Sequence, residues 1–221
     1  MSARTDKGYR GAPMEGGVAR WYAANTGRDR RRITEQADGV IAYAPDRGDV
    51  LEIAPGPGYL SIELARTGRY TVTAVDISET FVRIAREKAA EAGVDVDVRQ
   101  GNASELPFDD ARFDFVVCCA AFKNFADPAG AIAEMHRVLR PGGRALIQDL
   151  RPDVTREAVA ADVQRMRMGA VNRVITRFVL GSWLARRAHP KDDFARYARQ
   201  AGFASWEFVE APVSLEVLLQ K

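Results

Sequence analysis

The sequence predicts an α/β fold in which a seven-stranded, mostly parallel sheet lies between two layers of helices and ends in an antiparallel hairpin. The first observation is that strand-length apolar runs alternate with helical stretches between residues 49 and 150. Such alternation is typical of right-handed crossovers that join parallel strands. The second is that the last two strands, at 205–210 and 213–219, are separated only by a connection that contains Pro212. So short a connection forms a hairpin, and the last strand must therefore run antiparallel.

Apolar spacing and the positions of Gly and Pro place each element in turn. A glycine-rich, irregular start precedes one helical stretch over 18–44, which ends at Pro45. In the alternating part, Gly93 stops one helix and Pro128 occupies the first turn of another. The strands are expected at 49–54, 71–76, 94–99, 113–119 and 142–150, and the helices at 60–66, over about 81–92, after Pro128 and at about 192–201, where Gly202 ends the last one.

Length and composition indicate one globular domain with an elaboration. The 221 residues are 47% hydrophobic and 28% charged, which excludes a disordered or fibrous protein. We expect an N-terminal segment and cap helix over 1–48 and the sheet domain over 49–221, with a helical insert at about 154–187. Apolar stripes in the insert predict either core helices or a lid over a ligand pocket.

Charge, cysteines and hydropathy exclude several classes of protein. Lys and Arg number 32 against 30 Asp and Glu, which argues against a nucleic-acid coat. The two cysteines, Cys118 and Cys119, are adjacent, and with only His136 and His189 beside them a metal site is not expected. The amino terminus lacks an apolar signal core, and no uncharged run exceeds ten residues, far short of a membrane helix. We therefore expect a cytoplasmic protein without a membrane span.

The turn after the first strand and the acid that ends the second strand are the strongest functional signal. Gly56 and Gly58 let the backbone approach a ligand, and the helix that follows offers free N–H groups. Asp76 stands twenty residues after Gly56, where a carboxylate can accept hydrogen bonds from ribose hydroxyls. A nicotinamide dinucleotide site shares both features. Three departures from the dinucleotide fingerprint disfavour such a site. Ser61 stands where the fingerprint has Gly or Ala, and the fingerprint has no acid at the position of Glu52 inside the strand. The six-strand dinucleotide fold also lacks an antiparallel terminal hairpin.

Five segments, in this order along the chain, are similar to the motifs of one enzyme family. They are VLEIAPGPG at 50–58, VTAVDIS at 72–78, QGNASELPF at 100–108, FDFVVCCAAF at 113–122 and LRPGG, the turn into the fifth strand, at 139–143. Together they resemble the class I S-adenosylmethionine-dependent methyltransferases, of the small-molecule, UbiE-like type. The resemblance covers about 49–150 and the terminal hairpin, and it implies the three-layer, Rossmann-like fold of that family.

The resemblance implies that the carboxyl edge of the sheet binds S-adenosyl-L-methionine and releases S-adenosyl-L-homocysteine. Two positions depart from the family's motifs. Ala54 replaces the leading glycine of the first motif, which is harmless if its φ is negative. Asn102 replaces an aspartate, so its hydrogen bond from the adenine amino group loses charge assistance. The residues implied to bind the cofactor are Glu52, Ala54, Gly56, Gly58, Asp76, Ile77, Asn102, Ala103 and Cys119.

Three residues are candidates for catalysis, although methyl transfer needs a base only if the acceptor must lose a proton. Lys123, after the fourth strand, could orient an anionic acceptor or act as a base; alternatively, it is a solvated loop residue. Asp149 could orient the substrate, or it caps a helix or pairs with an arginine. Tyr22 on the cap helix could touch the methionyl end of the cofactor, or it packs that helix. His136 and His189, which is expected to mark a helix start, are not expected to be bases.

A small-molecule acceptor is expected, because the chain lacks the Asn/Asp-Pro-Pro-Tyr/Phe signature that nucleobase and glutamine methylation use after the fourth strand. The near-neutral charge also argues against nucleic acid. A basic cluster is interpreted as a solvated helix face, but it could also bind phosphate, so a tRNA or protein acceptor stays an alternative. A non-catalytic cofactor-binding scaffold and a homodimer also stay open. The cluster comprises Arg28, Arg30, Arg31 and Arg32, and an apolar pocket roof would use Val163, Met166, Met168, Phe178 and Trp183.

Overall fold

The computed structural model describes residues 8–10, 14–165 and 185–221, and its centre is a seven-stranded sheet. The strands are β1 (Gly48–Ile53), β2 (Tyr70–Asp76), β3 (Val96–Gln100), β4 (Phe113–Cys119), β5 (Leu139–Leu150), β6 (Ser205–Glu210) and β7 (Ser214–Gln220). They lie side by side in the order β3-β2-β1-β4-β5-β7-β6. Only β7 runs antiparallel to its neighbours β5 and β6. The predicted, mostly parallel sheet with an antiparallel carboxyl-terminal hairpin is confirmed.

Helices cover both faces of the sheet. They are α1 (Gly16–Thr26), α2 (Arg30–Ile41), α3 (Tyr59–Arg66), α4 (Glu79–Glu91), α5 (Pro128–Val138), α6 (Arg156–Arg165) and α7 (Lys191–Ala201). On one face, α2 and α3 bury Val40 and Leu64 against the sheet. On the other face, α5 and α7 bury Met135 and Phe194. The result is the three-layer arrangement that the alternating sequence predicts.

The central strand β4 is buried on both of its faces. Phe115 and Val117 join the cluster under α2 and α3, whereas Val116 and Cys118 join the cluster under α5 and α7. A strand covered on both sides has a continuous apolar sequence, which explains the run from Phe115 to Cys119. Cys118 is therefore a packing residue of the core.

The single N-terminal helix predicted over 18–44 is wrong, because the chain forms α1 and α2 instead. Asp29 caps α2 by accepting a hydrogen bond from the backbone N–H of Arg32 at 3.3 Å. At the break, Gly27 lets the hydroxyl of Tyr59 come close, since a Cβ at position 27 would lie 2.1 Å from that oxygen. The break therefore anchors the N-terminal helices beside the start of α3.

The predicted start of the fifth strand at 142 is also wrong. β5 begins at Leu139, which pairs with Phe113 before the register shifts between Phe113 and Phe115. Residues 139–143 therefore lie inside the strand instead of forming a turn into it. Gly142, with a φ of +80°, accommodates the irregularity.

The predicted insert over 154–187 is described only in part. Its first helix, α6, buries Val159 and Val163 on one side, as the first apolar stripe predicts. The remaining predicted roof residues, Met166, Met168, Phe178 and Trp183, lie outside the described residues. No helix within the described ranges is long and apolar enough to cross a membrane. The division of the chain at residue 49 stays a prediction.

Candidate active site

The strand order reverses between β1 and β4, and the residues that the sequence singles out gather there. Ligands of open α/β sheets bind outside the carboxyl ends of the strands at such a switch point. The glycine turn, 54–58, follows β1, Asp76 ends β2, and the loop 120–124 follows β4. The fold thus brings the glycine turn, the acid and the loop after β4 to one edge of the sheet.

Asp76 links the glycine turn to the start of α4. One carboxylate oxygen accepts a hydrogen bond from the N–H of Gly56 at 3.0 Å, and the other accepts one from the N–H of Ser78 at 2.8 Å. Burial raises the pKa of Asp76 to about 6, although these hydrogen bonds oppose the change. A Cβ at Gly56 would have no described atom within 4 Å, so the space above the turn is open to a ligand.

Glu52 is buried inside β1 and is held by Ser61. The hydroxyl of Ser61, in the first turn of α3, donates a hydrogen bond to Glu52 Oε2. Burial raises the pKa of Glu52 to about 7, because the charged form loses its hydration. The sequence marks Ser61 only as a departure from the dinucleotide fingerprint. The contact between Ser61 and Glu52 was not predicted, although a hydroxyl in the first turn of α3, close to β1, indicates that a buried polar partner is near.

Two alanines at the edge of the crevice have left-handed backbone conformations. Ala54 follows β1 with a φ of 57°, and Ala120 follows β4 with a φ of 58°. Ala54 therefore does not meet the condition, a negative φ, under which its replacement of glycine would be harmless. A side chain in this conformation costs about 1–2 kcal/mol, and such strain concentrates at functional sites. The two strained turns flank the switch point from both sides.

Exchanging alanine and glycine in this turn is expected to change stability with opposite signs. Ala54→Gly should raise the free energy of unfolding by about 0.5–1 kcal/mol, because it removes the left-handed strain at some expense in backbone entropy. Gly58→Ala should lower it by about 2–4 kcal/mol. Gly58 has a φ of +80°, and an added Cβ would lie 2.9 Å from the Cβ of Ala85.

Urea unfolding measures both variants. Gly68→Ala is the matched control, because Gly68 has a φ of +66° but open space around an added Cβ. Gly68→Ala would therefore add the backbone strain without a steric clash. If Gly58→Ala cost no more than Gly68→Ala, the close approach of α3 to α4 at this turn would be contradicted.

A short N-terminal strap, residues 8–10, lies against the predicted adenine site. Gly8 is buried, and a Cβ there would lie 2.5 Å from Ile77 Cδ1 and 2.8 Å from Asn102 Oδ1. The backbone of the strap pairs with residues 124–126 through hydrogen bonds of 2.7 and 3.1 Å. The strap therefore joins the loop after β4 to two of the predicted cofactor residues. Its glycine-rich sequence, which predicts irregular structure, gave no sign of this contact.

Asn102 holds a turn in the segment that the sequence assigns to the adenine. Its Oδ1 accepts hydrogen bonds from both the N–H and the hydroxyl of Ser104, each at 3.1 Å. An amide oxygen has two lone pairs, so accepting from an adenine amino group requires the Ser104 hydroxyl to move away. The next turn is fixed in place because the N–H of Leu106 donates to Glu134 of α5 at 2.7 Å. Ala103 packs between these two anchors against the core.

Lys123 and Asp149 form a buried ion pair between the loop after β4 and the end of β5. Lys123 Nζ lies 2.7 Å from Asp149 Oδ1, and each side chain is 6% exposed. The carboxylate also accepts hydrogen bonds from the backbone N–H groups of Lys123 and Leu150, each at 2.7 Å. The alternative that Lys123 is a solvated loop residue is therefore wrong. Asp149 does form a salt bridge, but its partner is this lysine rather than an arginine.

Comparisons with known proteins identify the part of the chain that carries this site. Residues 51–147 match the family model described as a methyltransferase domain. The demethylmenaquinone methyltransferase of Deinococcus radiodurans is 34% identical over 155 residues, which are 67% of this chain and 64% of that protein. Residues 51–147 are thus a methyltransferase domain of the class I S-adenosylmethionine-dependent type.

A further relative and two solved structures are also similar to the chain. The ubiquinone/menaquinone biosynthesis C-methyltransferase UbiE of Psychromonas ingrahamii is 38% identical over 102 residues, 44% of this chain and 41% of that protein. The chain thus spans less than two thirds of the length of either curated relative. A candidate S-adenosyl-L-methionine-dependent methyltransferase of Methanococcus maripaludis has a TM-score of 0.76 at 21% identity, over 96% of this chain and 95% of that one. The [4+2]-cyclase SpnF has a TM-score of 0.65 at 19% identity, over 85% and 80%.

The adenine assignment can be tested at Asn102. Asn102→Asp is expected to hold or improve the affinity for S-adenosyl-L-methionine, because a carboxylate keeps both hydrogen bonds from Ser104 and adds charge. Asn102→Leu is expected to weaken binding about 5–30-fold, the usual worth of a lost hydrogen bond in a buried site. Calorimetry measures both affinities.

Ser104→Ala is the matched control for that test, since it frees one lone pair of Asn102 Oδ1 without touching the amide. If that oxygen binds the adenine, Ser104→Ala should hold or raise the affinity. An Asn102→Leu variant that binds the donor as well as the wild type does would show that this segment is not at the adenine.

Tyr22 and Cys119 lie at two other places in the methyltransferase fold. The Tyr22 ring packs edge-on against Phe81 of α4 at 5.9 Å between centroids, so its packing role is observed. Its contact with a methionyl group stays a prediction. Burial raises the pKa values of the Cys118 and Cys119 thiols, which are therefore protonated at neutral pH and not reactive. In the described part of the chain, no three His, Cys, Asp or Glu side chains converge on a metal position.

Two buried polar atoms, His189 Nε2 and Asn124 Oδ1, have no hydrogen-bond partner in the described ranges. The His189 ring lies 5.4 Å from the ring of Phe122 in the loop after β4, and Nδ1 lies 3.5 Å from Asp193. Burial lowers the pKa of His189, so the ring is neutral at pH 7. His189 precedes α7, which confirms its predicted place at a helix start. Its burial beside the β4 loop was missed, since a lone histidine before proline carries no signal for it.

Proposed function

We propose that the protein transfers a methyl group from S-adenosyl-L-methionine to a small-molecule acceptor and releases S-adenosyl-L-homocysteine. The observation that carries this proposal is buried Asp76, whose carboxylate joins Gly56 to Ser78 beside an open glycine turn. A carboxylate in this place suits the two hydroxyls of a ribose. The likeness of residues 51–147 to methyltransferase domains supports the same donor.

The residues of the site would act by binding and positioning. The sulfonium donor supplies a methyl group on a good leaving group, so the protein has mainly to hold donor and acceptor in line. Asp76 would accept hydrogen bonds from the ribose, and Gly56 and Gly58 would let the backbone approach the donor. Glu52 would steady the start of the turn through its hydrogen bond from Ser61.

The acceptor is proposed to bind beyond the carboxyl ends of β4 and β5. There the Lys123–Asp149 pair fixes the loop, and Phe122 packs against His189. Two relatives are named for quinone biosynthesis or menaquinone methylation, and a quinol-like aromatic acceptor suits this aromatic surrounding. If such an acceptor must lose a proton, the candidates remain Lys123, Asp149 and Tyr22.

A non-catalytic or differently reactive protein is the second candidate. The observation that favours it is that the [4+2]-cyclase SpnF shares the fold, which shows that the fold alone does not decide the reaction. A tRNA or protein acceptor is a further alternative, and the arginine cluster at 28–32 would serve it. A cytoplasmic location and a homodimer also stay predictions.

Transfer of a labelled methyl group tests the proposal. The protein is incubated with methyl-labelled S-adenosyl-L-methionine and, in separate reactions, with quinols, phenols, amines, carboxylates, short peptides and bulk tRNA. We expect label on a small acceptor, and we expect Asp76→Ala but not the control Asp97→Ala to lose it, because Asp97 is an exposed partner of Arg99. Label on tRNA or intact protein, with no small acceptor working, would overturn the acceptor class. Binding of the donor without any transfer would favour the scaffold.

A further inference from the structure

Helix α1 exposes large apolar side chains to solvent, whereas a packed helix normally buries them. Within the described ranges, the large hydrophobic residues that are exposed are Val18 at 55%, Trp21 at 61%, Tyr22 at 38% and Val209 at 45%. Three of these lie on α1. Val18 and Trp21, three residues apart, share the open face, whereas the Tyr22 ring also packs against Phe81 of α4. The helix instead buries its small residues, Ala19 and Ala23. A contiguous exposed apolar face of this kind marks an interaction surface.

The orientation of α1 is fixed by contacts on its other side. Ala19 and Ala23 pack against Phe81 and Ile84 of α4. Tyr59 donates a hydrogen bond to the carbonyl of Ala23 at 2.7 Å. The exposed face is therefore held outward by the fold and does not result from a loose helix.

Exposed arginines lie on α1, in the turn after it and at the start of α2. Residues 14–32 contain five arginines and two acids, a net charge of +3, whereas the whole chain carries +2. All five arginines are exposed. Arg31 pairs with Glu35 and Arg32 with Asp162. The other three, Arg20, Arg28 and Arg30, have no acidic group within 4.0 Å in the described part of the chain, so their charge is available to an anionic partner.

We propose that α1 and the turn into α2 form a docking surface for an anionic lipid bilayer. Val18 and Trp21 would enter the headgroup region, where tryptophan is favoured because one end of its ring system is apolar and the other is polar. Arg20, Arg28 and Arg30 would contact lipid phosphates. This combination of an apolar face with a basic rim is the composition of interfacial helices.

Two other partners fit the same surface less well. A second copy of this chain, bound through a two-fold contact of the same patch, would bring two groups of unpaired arginines together. A single-stranded nucleic acid could stack on Trp21, but such binding makes no use of an aliphatic residue such as Val18. The bilayer uses both the apolar face and the charge.

The position of the surface also suits an apolar acceptor. The carboxyl end of α1 meets Tyr59, which directly follows the glycine turn at Gly58. A protein docked through α1 would therefore hold its crevice near the bilayer, and a lipophilic acceptor could enter without crossing water. This consequence rests on the proposed function, whereas the docking itself does not.

Flotation with vesicles tests the docking without reference to activity. The full chain is mixed with vesicles of phosphatidylcholine alone or of phosphatidylcholine with phosphatidylglycerol. We expect the protein to float with the anionic vesicles only, and added salt should weaken the association. Trp21→Ser should reduce the bound fraction by at least about tenfold, and Arg28→Gln and Arg30→Gln by about fivefold each.

Val209→Ser is the matched control, because Val209 is exposed on β6, away from the basic rim. It should float as the wild type does, and circular dichroism with donor binding should show that every variant is folded. A protein that stays in solution with both kinds of vesicle would overturn the proposal, as would equal flotation of the Trp21→Ser variant. A dimer or a tRNA complex that Trp21→Ser disrupts, without any vesicle binding, would assign the face to that partner instead.

Discussion

Replacing Lys123 by methionine is expected to lower the free energy of unfolding by about 3–5 kcal/mol, because it leaves a buried carboxylate without its counter-charge. The Asp149 side chain is 6% exposed, and Lys123 Nζ pairs with it at 2.7 Å from Oδ1. The loss should appear as a lower midpoint in urea unfolding with an unchanged slope. Lys191→Met is the matched control, because Lys191 pairs with Glu210 at the surface and should contribute less than about 1 kcal/mol.

The double variant Lys123→Met with Asp149→Leu separates the ion pair from the rest of the contacts. Removing both charges should recover part of the loss, since an apolar pair does not have to be desolvated. Recovery should stay incomplete, because Asp149 also accepts hydrogen bonds from the N–H groups of Lys123 and Leu150. A Lys123→Met variant as stable as the wild type would contradict the buried pair. That result would mean that the Lys123 ammonium has no ion-pair partner and is available to the acceptor.

Asp76→Ala is expected to weaken binding of S-adenosyl-L-methionine by about 1.5–3 kcal/mol, or roughly 10–150-fold, the usual worth of hydrogen bonds to a charged group. The variant also removes the link between Gly56 and Ser78, so the glycine turn loses its support. Calorimetry measures the affinity, with Asp97→Ala as the control for removing an exposed carboxylate from the next strand. Unchanged affinity in Asp76→Ala would mean that the ribose lies elsewhere.

The pH dependence of donor binding follows from the same carboxylate. Burial raises the pKa of Asp76 to about 6, and ribose hydroxyls donate better to the ionised form. Affinity should therefore rise as the pH increases from about 5 to about 7. Asp76→Asn should remove this part of the pH dependence. An affinity that stays constant across this range in the wild type would contradict the role of the carboxylate.

The stability of the unliganded protein should change with pH in the opposite direction. Burial raises the folded-state pKa values of Asp76 and Glu52 to about 6 and about 7, above the values of 3.8 and 4.5 that they have when unfolded. At these two carboxyls the folded state therefore binds more protons over this interval, so their contribution to stability should fall as the pH rises from about 4 to about 7 and then level off. Donor binding and stability thus respond differently to the same ionisation.

The sequence could predict the sheet because its elements are set by local patterns. β4 is covered on both faces and is accordingly apolar from Phe115 to Cys119, and the short connection at Pro212 forces the last strand to turn back. The glycine turn and Asp76 were placed at one edge by strand order alone, since the carboxyl ends of parallel strands share that edge. These features depend on spacing that a single sequence displays.

What the sequence could not predict depends on contacts between distant residues. The break between α1 and α2 occurs where Tyr59 meets Gly27, and nothing near position 27 encodes that partner. Lys123 was open to a solvated interpretation because its pair, Asp149, lies 26 residues away on another strand. The left-handed conformation of Ala54 is set by the turn around it, and alanine itself does not favour it.

Calorimetric titration of the 221-residue chain with S-adenosyl-L-methionine and, separately, with NAD decides which cofactor the glycine turn binds. We expect saturable binding of the methyl donor that is weakened by Asp76→Ala and strengthened as the pH rises through about 6. We expect weaker or no binding of NAD. Tighter binding of NAD than of the methyl donor, or no saturable binding of the donor at any pH, would show that this edge of the sheet is not a methyl-donor site.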